Sequence, residues 1–217
     1  IGLETARRMA WRGHQVTLVS MMYQGGPLNE PFYVWSAAPP RDLWLVTTDI
    51  VNNVRPDVMV SVQDFPYHHT LYWGCKIDYS VMAWVWVTPI DGTPVDEDWV
   101  KLVDVADGAM VISKFGVEAM RQAGRRVSLL HPGVDAREFR PATAEERAAL
   151  RKAAGLPENA YVVGMFAVNQ GRKAISLTME GFAEFCKDKP EALLYLDMEA
   201  GSGAGWDIGK LVRAVGL

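Results

Sequence analysis

The sequence predicts an α/β protein built on parallel sheets, and three observations predict it. Helical stretches alternate with short apolar strands along nearly the whole of its 217 residues, the pattern of consecutive βα units. Residues 80–88 (SVMAWVWVT) are apolar at both parities: Val81, Ala83, Val85 and Val87 face one way, Met82, Trp84 and Trp86 the other. A strand of that kind is expected at the centre of a parallel sheet, covered by helices on both faces. Carboxylates and a glycine also follow strand ends, at Asp64, Asp91 and Gly92. In open α/β sheets that edge is where ligands bind.

The elements follow in order. Residues 3–12 are expected as a helix stopped by Gly13, and 15–20 (QVTLVS) as a strand. Gly25, Gly26, Pro27, Pro31, Pro39 and Pro40 make 24–40 a loop, with a short strand at FYVW. A helix is expected over 41–54. Pro56 and Asp57 then open the strand VMVSV, and a looser helix covers about 67–75. Helix 95–106, strand 108–113, helix 114–123 and strand 127–130 complete the first part. The polar, proline-bearing HPGVDAREFRPATAEE (131–146) marks a domain boundary near residue 140. It leads into a helix over 144–154 that Thr143 and Glu146 open as a capping box. Strand 161–168, helix 173–187, strand 192–197 and helix 206–216 follow. Spacing puts Ile175, Met179, Phe182 and Phe185 on the buried face of helix 173–187. Two parallel strands make a poor sheet on their own. The second part is therefore expected to be incomplete, and the chain to be a piece of a longer protein, cut in its first βα unit.

Composition narrows the classes. The chain is 49% hydrophobic and 22% charged with a net charge of −4, which gives no global field for nucleic acid or an anionic membrane. No apolar run reaches the roughly 18–20 residues of a membrane span, and a cytoplasmic location is expected. Cys75 and Cys186 share no metal-type spacing and are expected to be free thiols. His68 and His69 are adjacent, about 100° apart on a helix, so they do not serve one metal from one face. A surface or interface role is expected for them. Trp84 and Trp86 are expected in the core, whereas Trp73 is balanced between core packing and stacking on a sugar.

IGLETARRMAWRGHQVTLVS has the shape of the helix and second strand of a dinucleotide-binding unit. That unit needs an acid at the end of its second strand to hold the ribose. Here the strand runs out in Val19-Ser20-Met21-Met22, which weakens the oxidoreductase reading and leaves Gly2 as the one trace of a phosphate loop. AVNQGRKA (167–174) poses the opposite problem. Arg172 and Lys173 stand where a helix begins, and positive charge is unfavourable there because the helix dipole is already positive. Either an anion sits between them and the helix, or they are simply solvated.

RRVSLLHPGVDAREFRP resembles the interdomain signature of GT-B glycosyltransferases of the glycogen-synthase-like group 1 family, with Gly133-Val134-Asp135 followed by Phe139 and Pro141. VADGAMVISKFGVEAMRQAG, ARRMAWRGHQVTLVS, VVGMFAVNQGRKAISLTMEGFAEF and LLYLDMEAGSGAGWDIGKLVRAVGL are similar to further stretches of that family, so the resemblance covers nearly the whole chain. It implies two facing Rossmann-like domains, an acceptor-side domain over 1–140 and the beginning of a nucleotide-sugar-binding domain over 141–217. It further implies sugar transfer with retention from a nucleotide-diphosphate sugar to a glycan, lipid or protein acceptor, with no bound metal and no further cofactor. On this resemblance Arg172, Lys173 and Asn169 would hold the donor diphosphate and Asp91 would be catalytic. Gly2, Asp64, Gly92, Ser113, Gly133 and Asp135 would line the acceptor side. Two departures stand out: Ala167-Val168 replaces a Gly-Arg pair, and Asp91 replaces a histidine. A GT-B-fold sugar-nucleotide epimerase and a non-catalytic nucleotide- or sugar-binding module are the alternatives.

Overall fold

The computed structural model describes residues 2–38, 42–201 and 205–217. Ile1, the loop residues Pro39 and Pro40, the expected helix start Arg41, and Ser202, Gly203 and Ala204 of the last family-like stretch lie outside them. The chain divides into two compact units, Ile1–Asp135 and Ala136–Leu217. Each is mixed α/β with parallel strands, consistent with a Rossmann-like fold.

In the first unit α1 (Gly2–Trp11) leads into β1 (Thr17–Ser20), which pairs in parallel with β2 (Tyr33–Ser36). A bidentate ion pair from Arg7 on α1 to the largely buried carboxylate of Glu30 ties down the intervening loop. Next comes α2 (Leu43–Val54), capped by Asp42, whose carboxylate accepts from the N–H groups of Trp44 and Leu45. A four-stranded parallel sheet follows, in the order β3 (Val58–Val62), β4 (Ala83–Thr88), β5 (Gly108–Val111) and β6 (Ser128–Leu129). Its crossovers are α3 (Phe65–Gly74), α4 (Glu97–Val105) and α5 (Lys114–Gln122).

Strand order matches chain order, so successive right-handed crossovers put their helices on one face. That face carries Trp84 and Trp86, both fully buried with Phe65, Leu102, Val111 and Met120. The valine face of β4 is different. Ala83 and Val85 are half-buried, Val87 at the strand's end is buried, and on the neighbouring β3 Val58 and Val60 are about half exposed. The expectation of helix cover on both faces is therefore met in full only on the tryptophan side among the described residues, because α3, α4 and α5 all pack there. The strand is also shorter than expected. Tyr79–Val81 form one 3-10 turn, leaving Val81 exposed.

The expectation for His68, though not for the partly exposed His69, is corrected as well. His68 is fully buried. Ser61 Oγ lies 3.0 Å from its Nδ1, and its Nε2 lies 3.3 Å from the Val87 carbonyl. That carbonyl only accepts, so Nε2 carries the proton, and Nδ1 accepts from the Ser61 hydroxyl. Ser61 in turn accepts from the Trp84 indole N–H at 2.9 Å. A closed chain of three polar groups is what permits a histidine in this core.

The second unit opens with α6 (Ala144–Ala153), whose expected capping box is present in full between Thr143 and Glu146. The parallel pair β7 (Tyr161–Phe166) and β8 (Ala192–Asp197) follows, with α7 (Ile175–Phe185) as its crossover and α8 (Ile208–Val215) after it. Ile175, Met179, Ile208 and Leu211 form the core against Met165, Leu194 and Leu196. Phe182 is buried, but Phe185 is not as expected: it is exposed at the helix end, with Lys189 Nζ 4.5 Å from its ring centroid. The reason is that the helix stops there and a 3-10 turn, Cys186–Asp188, takes over.

Candidate functional site

Parallel pairing decides where the first unit's candidates lie. β3, β4, β5 and β6 all point the same way, so the segments after Val62, Thr88, Val111 and Leu129 emerge at one edge. Asp64, Asp91, Gly92, Ser113, Gly133 and Asp135 lie in those segments. Asp64 occupies the N-cap position of α3, but its side chain makes no capping bond and stays exposed. Asp91 and Gly92 are exposed in the segment that leaves β4 through the buried Ile90. These are carboxylates available to a ligand.

Two others are occupied with structure. Ser113 caps α5, accepting from the Gly116 N–H at 3.0 Å. Asp135 lies 3.8 Å from Arg8 of α1, an ion pair that fastens the end of the unit to its first helix. Gly133 is exposed and Gly2 is the first described residue of α1; a side chain at either would meet nothing within 4 Å. Trp73, left open between two readings, is 66% exposed, with its ring held edge-on by Tyr72.

In the second unit the segment after β7 carries the other candidates. The expected helix start at 173 is replaced by a break. Gly171–Lys173 form one 3-10 turn, and α7 begins only at Ile175. Between them Ala174 sits in the left-handed region at φ 51°, ψ 40°. A residue with a Cβ pays roughly 1–2 kcal/mol to stand there, and such outliers gather at functional sites. No side chain caps α7, whereas α2, α4, α5, α6 and α8 are capped by Asp42, Asp96, Ser113, Thr143 and Asp207. Arg172 is exposed and Lys173 half-buried. Among the described residues neither forms an ion pair, although Arg7, Arg8, Lys101, Arg121, Arg125, Arg140, Lys187 and Lys210 all do. Two cations without an ion pair, backbone N–H groups without a side-chain cap and a left-handed turn therefore lie at one strand end, an arrangement suited to an anion.

Ala174→Gly is expected to stabilise the second unit by about 1 kcal/mol, because glycine removes the Cβ conflict and returns part of the gain as unfolded-chain entropy. Thermal unfolding of the variant measures this; a lower midpoint would mean that the left-handed turn carries no strain.

Asn169 is the residue whose surroundings the sequence concealed. It is 2% exposed, and its side chain bonds to the segment beyond β8. Its position beside Arg172 was legible; the use of its amide was not, since the partners lie 30 and 37 residues away.

Two shallow grooves run between helices, one lined by Val100 of α4 and Ala119 of α5, the other by Ala183 of α7 and Leu211 of α8. Neither includes a candidate site residue. Among the described residues no group of three or more His, Cys, Asp or Glu side chains could hold a metal ion. No described helix is long and apolar enough to cross a membrane. No family model and no curated protein matches the chain.

Proposed function

We propose that this chain belongs to a glycosyltransferase of GT-B type, which transfers a sugar with retention from a nucleotide-diphosphate donor. The observation that carries this reading is the Arg172–Lys173 turn before an uncapped α7. A diphosphate placed there would receive N–H groups from the helix start and charge-assisted hydrogen bonds from both cations. As the sugar–phosphate bond breaks, negative charge builds on the leaving diphosphate. Fixed positive groups already in place stabilise that charge without reorganising. The resemblance of residues 125–141 and of the stretches around it supports the assignment to this class. The exposed Asp64 and Asp91 at the strand ends of the first unit are the carboxylates available to an acceptor hydroxyl.

Calorimetric titration with UDP, GDP and ADP tests the reading, with the unphosphorylated nucleosides as controls. Lys173→Ala is expected to weaken diphosphate binding by about 1.5–3 kcal/mol, the range for hydrogen bonds to a charged group. Arg172→Ala is expected to act in the same direction, and neither should alter the weak binding of nucleosides. Equal diphosphate affinity in wild type and both variants would return these cations to the solvated surface.

A further inference from the structure

We propose that Asn169 is a positioning residue that fastens the segment after β8 to the segment after β7, so that a diphosphate held at Arg172 and Lys173 orders both. This rests on the diphosphate reading above.

The Asn169 amide is fully committed. Its Nδ2 donates to the carbonyls of Glu199 at 3.0 Å and Trp206 at 2.7 Å, and its Oδ1 accepts from the Trp206 N–H at 2.9 Å. Two carbonyls and one N–H on one side chain require two donors and one acceptor. Asn provides both kinds, whereas Asp would set a carboxylate against two carbonyl oxygens. The approach is close. A Cβ on Gly205 would lie 2.4 Å from both the backbone oxygen and Oδ1 of Asn169, so glycine is required at that point. Farther along, Ala200 accepts from the Ile208 N–H at 2.9 Å, which closes the segment at the start of α8.

The connection continues toward the cations. Gln170, next to Asn169, accepts from the Lys173 N–H at 3.0 Å. Hydrogen bonds on either side of the Asn169–Gln170 peptide link therefore connect Trp206 to Lys173. Through this connected set of bonds, order imposed at one segment would reach the other. Its contribution to binding is preorganisation: segments already fixed lose less entropy when a ligand arrives.

Amide hydrogen exchange of the 217-residue chain, with inorganic pyrophosphate as the probe, tests the proposal. Pyrophosphate is expected to slow exchange in both 170–174 and 205–208 of the wild type. Without ligand, Asn169→Asp is expected to speed exchange in both segments by about tenfold, since opening loses hydrogen bonds that no longer form. The amides of Met179 and Phe182 in α7 should keep their protection. Gly205→Ala attacks the same contact from the other side and should give the same paired pattern, which covers the case in which Asn169→Asp does not fold. If pyrophosphate protects 170–174 alone, or either variant loosens 205–208 alone, the coupling is overturned while the diphosphate reading stands. Protection of neither segment overturns both.

Discussion

Trp84→Ala is expected to destabilise the first unit by about 4 kcal/mol, within the range for removing a large aromatic from a core. The side chain is fully buried. It stacks on Tyr72 with ring centroids 5.8 Å apart and planes 4° from parallel, and Tyr79 packs against it at 5.0 Å. Truncation would empty the space between these rings and leave the Ser61 hydroxyl without the indole donor it now has. Trp84→Phe separates the two effects. It keeps most of the volume and removes only the N–H, so its cost should fall to about 1–3 kcal/mol, the penalty of a buried polar group left unsatisfied. Urea denaturation followed by far-ultraviolet circular dichroism measures both. Equal losses for the two variants would mean that the hydrogen bond, not the packing, dominates.

The second large effect depends on pH. Burial holds the His68 pKa down at about 4, against an ordinary value of 6.5; hydrogen bonding to the Val87 backbone and the nearby Asp64 charge oppose the shift only partly. Between those two values the unfolded chain binds a proton at this side chain and the folded chain does not. Stability therefore rises with pH across the window, is complete above about 6.5, and is lost as pH falls toward 4. Integrated over the shift, the loss is about 3 kcal/mol. The geometry explains why protonation is resisted. A second proton on Nδ1 would confront the Ser61 hydroxyl, which now donates to that atom. His68→Leu should be less stable than wild type at pH 7 and markedly less sensitive to pH between 6.5 and 4. Parallel pH profiles for the two proteins would show that other groups control acid sensitivity.

Much of the fold is written locally. Thr143 and Glu146 announce a helix start within four residues of sequence, and the structure realises both bonds. Apolar runs at residues 58–62, 80–88 and 161–168 announce strands because each is apolar over a strand length, and the structure trims the last two to 83–88 and 161–166. The placement of Asp64 and Asp91 just beyond strand ends is equally local: once the strands are parallel, their ends share an edge. The site itself was legible only as types and positions. Adjacent cations at 172 and 173 mark an electrostatic conflict that any reader of the sequence can find. Ala174 gives no such mark, because alanine favours helices and nothing in its identity foretells a left-handed turn. The family resemblance implies Ser113 and Asp135 as site groups, yet their side chains are engaged with α5 and α1.

What the sequence determined by itself is the order and kind of the elements, the parallel architecture and the edge at which polar residues collect. These depend on periodicity and on capping and turn chemistry, which act over a few residues. Only the tertiary structure decided which face of the β3–β6 sheet is covered, that His68 is a neutral core residue, and that Asn169 joins two segments instead of standing open to a ligand. The last two outcomes are each set by a partner distant in the chain, Val87 for His68 and Trp206 for Asn169. A side chain's polarity fixes how many hydrogen bonds it must make when buried, but only the packed fold supplies the groups that make them.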